Sequence, residues 1–79
     1  MNYPKVGKFY KHYKGGTYHV LFLSKHTESD EILVNYQSLE YGSYYSRPLS
    51  LWFDNVNEKA GDDARVVYRF VLIEEKNKI

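Results

Sequence analysis

Alternating polar and apolar side chains limit this chain to a small set of folds. Period-two spacing is found in TYHVLFLS (residues 17–24) and ILVNYQ (32–37), and RVVYRFVLI (65–73) is rich in β-branched residues, which favour strands. A period of two places successive side chains on opposite faces of a strand, whereas an amphipathic helix needs apolar residues three and four positions apart. The sequence therefore predicts an all-β fold.

Turn signals divide this pattern into short strands. Lys14-Gly15-Gly16 is typical of a tight turn, because glycine tolerates positive φ, and Pro48 ends a strand because it cannot donate to a ladder. We expect a helical turn within Leu49–Val56 that carries Trp52 or Phe53 into the core, and a flexible hairpin tip at Asn57–Ala64. The predicted strands are Phe9–Tyr13, Thr17–Ser24, Ile32–Gln37, Tyr44–Arg47 and Arg65–Ile73.

This order of elements predicts a small antiparallel SH3-like barrel of about five strands, with one short helical turn before the last strand. The 79 residues form a single domain, with a core at 9–73 and a frayed tail at 74–79. There is no cysteine, which excludes disulfides and thiolate metal sites and favours a reducing compartment. No apolar run approaches the roughly 20 residues that span a bilayer, so we expect a cytoplasmic protein without membrane contact.

Charge is distributed unevenly along the chain. Residues 1–27 contain five lysines and no acidic residue, whereas the remainder holds six basic and ten acidic residues, so the net charges of +5 and −4 sum to +1. A total this small argues against a protein that coats nucleic acid, but a basic face able to hold a compact anion remains consistent with it.

Arg47 is the clearest polar candidate, because it directly precedes Pro48. The residue before a proline adopts an extended backbone, and a following turn would fix the guanidinium for bidentate contact with phosphate or carboxylate. The alternative is a structural ion pair between Arg47 and Glu28 or Asp54.

The histidines give no metal-binding pattern. His12, His19 and His26 are spaced seven residues apart. A zinc site made by His12, His26 and Glu28 is chemically feasible, but polar histidines without metal are much commoner. We therefore expect no metal and no cofactor.

Five segments, taken in order, resemble a small bacterial family of unknown function. They are YKHYKGGTYHVL (10–21), KHTES (25–29), VNYQSL (34–39), SRPLSLWFDNV (46–56) and YRF (68–70). The family pattern runs Tyr-x-His-Tyr-Lys-Gly, His-Ser/Thr-Glu-Thr, Val-x-Tyr, Trp-x-Arg-Pro-Leu-x-x-Phe and a closing Arg-Phe. The resemblance implies a small barrel with a shared polar cluster, and it brings no settled activity.

Two aromatic positions depart from that pattern, since Tyr45 replaces its tryptophan and Trp52 its phenylalanine. The segment HTES also lacks the second threonine. The resemblance places the polar motif residues at His12, Tyr13, Lys14, His26, Thr27, Glu28, Tyr36, Arg47 and Pro48.

We expect a non-catalytic binding module for a small anionic ligand that contains a nucleotide. Lys14 and Arg47 would hold phosphate or carboxylate, and His12 and Lys14 would meet His26, Glu28 and Arg47 across the fold. So small a chain cannot enclose a nucleotide alone, which predicts a homo-oligomer. If the chain is phage-encoded, it would sequester a host immune signalling nucleotide. The predicted ligand-binding residues are His12, Tyr13, Lys14, His26, Thr27, Glu28, Tyr36, Tyr45 and Arg47.

Three alternatives belong to other classes of protein. A nucleic-acid-binding barrel would use its N-terminal lysines on phosphates and its tyrosines on bases. A small hydrolase would use His12 or His26 with Glu28 as acid–base groups. A protein-interaction module would pair an exposed strand edge with a partner.

Overall fold

Strands account for most of the computed structural model, which describes residues 3–60 and 63–73. One short 3-10 turn, Leu49–Leu51, follows the fourth strand. The strands within these ranges are β1 (Phe9–His12), β2 (Thr17–Lys25), β3 (Ile32–Ser38), β4 (Tyr44–Pro48), β5 (Asn55–Ala60), β6 (Asp63–Tyr68) and β7 (Phe70–Leu72).

Five of these strands form one antiparallel sheet in the order β4-β3-β2-β1-β7, and β5 and β6 form a separate hairpin. The predicted all-β, antiparallel class with a helical turn late in the chain is confirmed. β4 and β7 are the two edges of the sheet. Side chains bridge these edges, since the Arg47 guanidinium lies 5.9 Å from the ring centroid of Phe70.

The core lies on one face of this sheet and is largely aromatic. Trp52 is 0 % exposed and stacks on Phe70 with ring centroids 3.9 Å apart and an interplanar angle of 2°. Trp52 also meets Tyr10 and Tyr36 edge-on, at 5.4 and 5.0 Å. Edge-to-face and offset-stacked rings add favourable energy beyond the area that they bury. The buried apolar residues are Tyr10, Val20, Val34, Tyr36, Trp52 and Phe70.

The other face of the sheet is more open. The middle strand, β2, is largely apolar on both faces, a pattern that predicts burial on both sides, yet Phe22 is 54 % exposed. A register shift between Val20 and Phe22 marks a β-bulge that changes how β2 meets β3.

The segment after Pro48 differs from the prediction. The helical turn covers only Leu49–Leu51, and the residues predicted as its end, Asn55 and Val56, begin β5. The predicted hairpin tip, Asn57–Ala64, is wrong for most of its length, because β5 and β6 pair from Asn55↔Tyr68 to Ala60↔Asp63. Polar composition concealed β5, since its Asn, Glu and Lys residues are depleted in strands.

The last predicted strand, Arg65–Ile73, is divided at Arg69. β6 pairs with β5, whereas β7 pairs with β1. At the break, the Arg69 N–H donates to the Asp54 carbonyl at 3.0 Å, and the Tyr13 N–H donates to the Arg69 carbonyl at 2.9 Å. The chain thus passes from one sheet to the other at this residue. The predicted tail, 74–79, lies outside the described residues.

Residues 3–60 and 63–73 contain no helix that is long and apolar enough to cross a membrane.

Replacement of Trp52 tests the aromatic core. Trp52→Ala should lower the free energy of unfolding by about 3–5 kcal/mol, because it removes a fully buried ring. Trp52→Phe should cost less than half as much, because it keeps a ring against Phe70 and removes the buried Nε1–H, which has no hydrogen-bond partner. Urea denaturation followed by circular dichroism measures both. Leu51→Ala, at an exposed neighbour, is the control, and equal losses in the two Trp52 variants would contradict this account.

Candidate functional site

Nine side chains gather at the end of the sheet that holds the turn between β1 and β2. Strand register explains much of this grouping, because directly paired residues share a face. His12 pairs with Phe70, and Tyr36 pairs with Tyr45. We call the group the aromatic–basic cluster: His12, Tyr13, Lys14, Tyr18, Tyr36, Tyr45, Arg47, Arg69 and Phe70.

His12 lies at the centre of the cluster. Its ring is 4.9 Å from the rings of both Tyr13 and Phe70, and 6.2 Å from that of Tyr18. Its Nδ1 accepts a hydrogen bond from the Lys14 backbone N–H at 3.2 Å. The neutral ring therefore carries its proton on Nε2, which can donate to a ligand.

Burial lowers the pKa of His12 below its usual value, and the positive charges of Arg69, Arg47 and Lys14 lower it further. Asp54 acts in the opposite direction. Three cations and one carboxylate therefore act on this ring, which makes the local field positive.

Arg47 is anchored as the sequence predicted, by the turn that follows Pro48. Its Nε donates to the Leu51 carbonyl at 3.0 Å. This hydrogen bond occupies the Nε–H group and holds the plane of the guanidinium near the Phe70 ring. The expected alternative partner, Asp54, is bound to a different arginine.

Arg69 is that arginine. Its Nε donates to both carboxylate oxygens of Asp54, at 2.9 and 3.1 Å, and its Nη2 donates to one of them at 3.0 Å. These hydrogen bonds are the main reason that the pKa of Asp54 is lowered. The guanidinium also lies 5.7 Å from the centroid of the Tyr13 ring. Asp54 neutralises Arg69, so the net positive charge of the cluster comes from Arg47 and Lys14.

Three tyrosines form the wall of the cluster. The Tyr18 ring is 5.5 Å from Tyr36 and 6.3 Å from Tyr45, and Tyr36 is 5.6 Å from Tyr45. Burial raises the pKa of Tyr18 and of Tyr36, although the Arg47 charge opposes the rise at Tyr36. These phenols stay neutral at pH 7 and can donate hydrogen bonds. Tyr45 is 43 % exposed and presents its ring at the rim.

His26, Thr27 and Glu28 lie elsewhere. They form part of the turn between β2 and β3, and the nine residues of β2 separate this turn from Gly16. At about 3.3 Å per residue, the two ends of β2 are about 25 Å apart. The prediction that His12 and Lys14 meet His26 and Glu28 is therefore wrong, whereas His12 and Arg47 do share the cluster.

His26 has a local structural role in its turn. Its Nδ1 accepts hydrogen bonds from the backbone N–H groups of Glu28 and Ser29, at 3.1 and 3.4 Å. Its own N–H donates to the Glu31 carbonyl at 2.7 Å. These bonds close the turn, so the HTE motif is explained here by the turn itself.

The described part of the chain contains no preformed metal site. No group of three His, Cys, Asp or Glu residues is close enough there to hold a metal ion. The zinc site considered for His12, His26 and Glu28 is not assembled, because β2 separates the first residue from the other two.

Sequence reasoning missed three members of the cluster, namely Tyr18, Arg69 and Phe70. Tyr18 alternates with Val20, which indicated an inward side chain. Arg69 and Phe70 belong to the YRF segment of the family pattern. Their position beside His12 depends on the pairing of β7 with β1, which residue spacing did not reveal.

Comparisons with known proteins agree with this fold. A family described as "Protein of unknown function (DUF1653)" matches residues 8–72. The crystal structure of a protein belonging to DUF1653 from Bordetella bronchiseptica is 28% identical in sequence, with 95% of each chain covered and a TM-score of 0.73. No curated protein matches the chain.

The lowered pKa of His12 predicts how stability depends on pH. The unfolded chain, with a histidine pKa near 6.5, binds more protons than the folded chain as the pH falls. The contribution of His12 is therefore complete above about pH 6.5 and is lost as the pH falls through the folded pKa. Urea denaturation at pH 7.5 and 5.0 should show a smaller loss of stability in His12→Gln than in the wild type.

Phe22→Leu provides the matched control, because it replaces an exposed residue of β2 that carries no titratable group, and it should keep the wild-type pH dependence. Titration of the His12 ring by NMR reads the pKa directly. A midpoint at or above 6.5 would contradict the geometry described here.

Proposed function

The chain belongs to the DUF1653 family of proteins of unknown function, and we propose that it is a non-catalytic binding module whose aromatic–basic cluster holds a small anionic ligand of the nucleotide class. The observation that carries the proposal is the convergence of Lys14, Arg47 and Arg69 on His12, where Asp54 is the one carboxylate among the described side chains that acts on the ring. This excess of positive charge favours a phosphate-bearing ligand.

Arg47 is the group best suited to phosphate. Its Nε is held by the Leu51 carbonyl, so the guanidinium is fixed before any ligand arrives. A preorganised donor loses less conformational freedom on binding than a free arginine does. Lys14 lies in the adjacent turn, with its Nζ 5.8 Å from the Tyr13 ring centroid, and adds a second positive charge.

The tyrosine wall supports a planar group on the ligand. Tyr45 is partly exposed beside Tyr18 and Tyr36, and aromatic rings offer a flat surface on which a base can stack. Neutral phenols and the Nε2–H of His12 supply donors for polar edges of the base. Cationic groups that can hold phosphate lie beside an aromatic wall, and this combination favours a nucleotide over a simple inorganic anion.

Catalysis receives less support from this geometry. The hydrolase alternative needed His12 or His26 together with Glu28. His26 is engaged with backbone N–H groups in its own turn, and the His26–Glu28 turn lies about 25 Å from His12 along β2. His12 is therefore separated from Glu28, and the His26 ring beside Glu28 is already engaged with the backbone.

A homo-oligomer remains part of the proposal. The cavity beside Tyr36 and Tyr45 has a volume of about 240 Å³, which is below the roughly 300–1,000 Å³ typical of ligand pockets. A second copy of the chain would enclose a nucleotide more fully.

Charge-removing variants test the phosphate contacts. A thermal-shift screen of nucleotides, cyclic dinucleotides and inorganic phosphate should identify a ligand that adds about 2–4 kcal/mol of apparent stability at saturation. Arg47→Ala and Lys14→Ala should abolish the shift, whereas Lys25→Ala, at the far end of β2, should keep it. Light scattering on the same samples measures whether the ligand-bound protein is an oligomer. Normal shifts in both cluster variants, with the unliganded proteins folded, would refute the assigned site.

Replacement of a tyrosine in the cluster and of a tyrosine elsewhere on the surface tests base stacking. Tyr45→Ala should weaken nucleotide binding by about 1–3 kcal/mol, the usual worth of one stacking contact, and should leave binding of inorganic phosphate unchanged. Tyr3, which is 48 % exposed and lies beside Asp30 and Glu31 rather than at the cavity of Tyr36 and Tyr45, provides the control variant Tyr3→Ala. Isothermal titration calorimetry measures both. Tight binding of oligonucleotides that weakens steeply with salt would instead favour the nucleic-acid alternative.

A further inference from the structure

A groove of about 510 Å³ lies beside the turn between β2 and β3, at the far end of β2 from the aromatic–basic cluster. Its volume falls within the range of small-molecule pockets. The apolar part of its wall comes from the N-terminal segment, the start of β3 and the segment after β4. The lining residues are Tyr3, Asp30, Glu31, Ile32, Leu49, Ser50 and Phe53.

Two aromatic side chains on this wall remain partly exposed. Tyr3 is 48 % exposed and Phe53 is 37 % exposed, and both line the groove. Ile32 and Leu49 add aliphatic surface between them, and both are partly buried. A concave apolar surface of this kind accommodates the apolar body of a ligand.

The polar part of the groove is negative. Asp30 and Glu31 contribute carboxylates. Lys25 lies 3.9 Å from Asp30, in an ion pair whose side chains are 63% and 83% exposed. Within the described residues Glu31 forms no ion pair, and one of its carboxylate oxygens accepts a hydrogen bond from the Ser29 hydroxyl at 3.4 Å. The groove thus keeps a net negative charge beside its aromatic wall.

We propose that this groove binds a small organic cation, an ammonium group joined to an aromatic or aliphatic body. The carboxylate of Glu31 complements the ammonium, and the faces of Tyr3 and Phe53 attract a cation through their ring quadrupoles. Ile32 and Leu49 contact the apolar body. This site takes a ligand of the opposite charge from that proposed for the aromatic–basic cluster and is independent of it.

A charged ligand and its neutral analogue separate the two contributions to binding. The probe is 2-phenylethylammonium, and 2-phenylethanol is the neutral analogue of nearly the same shape. In a titration followed by ¹H–¹⁵N NMR, the ammonium should shift the amide signals of Ile32, Leu49 and Ser50. It should bind about 5-fold more tightly than the alcohol, as expected for one exposed carboxylate and one exposed cation–π contact.

Two variants at the groove and one beside it complete the test. Glu31→Gln should weaken binding of the ammonium about 2-fold and leave binding of the alcohol unchanged, and Phe53→Leu should weaken binding of the ammonium about 3-fold. Glu28→Gln removes an equal charge from the same turn outside the groove and should leave binding unchanged. Glu31 is exposed, so its replacement should not prevent folding.

Three results would overturn the proposal. The first is equal affinity for the ammonium and the alcohol, which would mean that the groove is merely apolar. The second is an equal effect of Glu28→Gln and Glu31→Gln, which would indicate unspecific attraction to a negative surface. The third is the absence of shifts in Ile32, Leu49 and Ser50 at millimolar probe. None of these results bears on nucleotide binding at the aromatic–basic cluster.

Discussion

The stack of Trp52 on Phe70 is the contact on which the rest of the structure depends. Trp52 follows β4, and Phe70 begins β7, so the stack joins segments from the two opposite edges of the five-stranded sheet. Backbone pairing does not join these edges in the described part of the chain. Because the stack holds the 3-10 turn against the sheet, the Leu51 carbonyl lies within hydrogen-bond distance of Arg47. The core and the candidate binding site are therefore built by the same contact.

The Asp54–Arg69 pair has a second organising role. Arg69 is where the chain leaves the β5–β6 hairpin and joins the main sheet, and Asp54 precedes β5. A backbone hydrogen bond and a bidentate side-chain contact link these two residues. Both side chains are about three-quarters buried, so removal of one partner would leave a poorly solvated charge. The pair thus holds the base of the hairpin beside the cluster, which explains why a cation beside His12 is not wholly available to a ligand.

The sequence was sufficient for the strands whose alternation leads to a buried face, as in β2 and β3, and for an aromatic residue entering the core after Pro48, although it did not choose Trp52 over Phe53. It failed for β5, whose residues Asn57, Glu58 and Lys59 resemble a loop in composition. Residue propensity does not detect such a strand, because Asn, Glu and Lys are depleted in strands and composition does not reveal the pairing of β5 with β6. For the same reason, only part of the candidate site could be predicted from the sequence. Arg47 was found from its position before a proline, but Arg69 and Phe70 reach His12 through long-range pairing, which residue spacing does not encode.

Net charge gives little information about either candidate site. The value of +1 arises from a basic N-terminal third and an acidic remainder, yet the fold does not keep these parts separate. Arg47 and Arg69 come from the acidic part and join His12 and Lys14 at one end of the sheet, whereas Lys25 lies beside Asp30 at the other. Strand pairing, rather than position along the chain, therefore sets the local field. A nearly neutral chain can in this way gather Lys14, Arg47 and Arg69 around His12 and place Asp30 and Glu31 beside a separate groove.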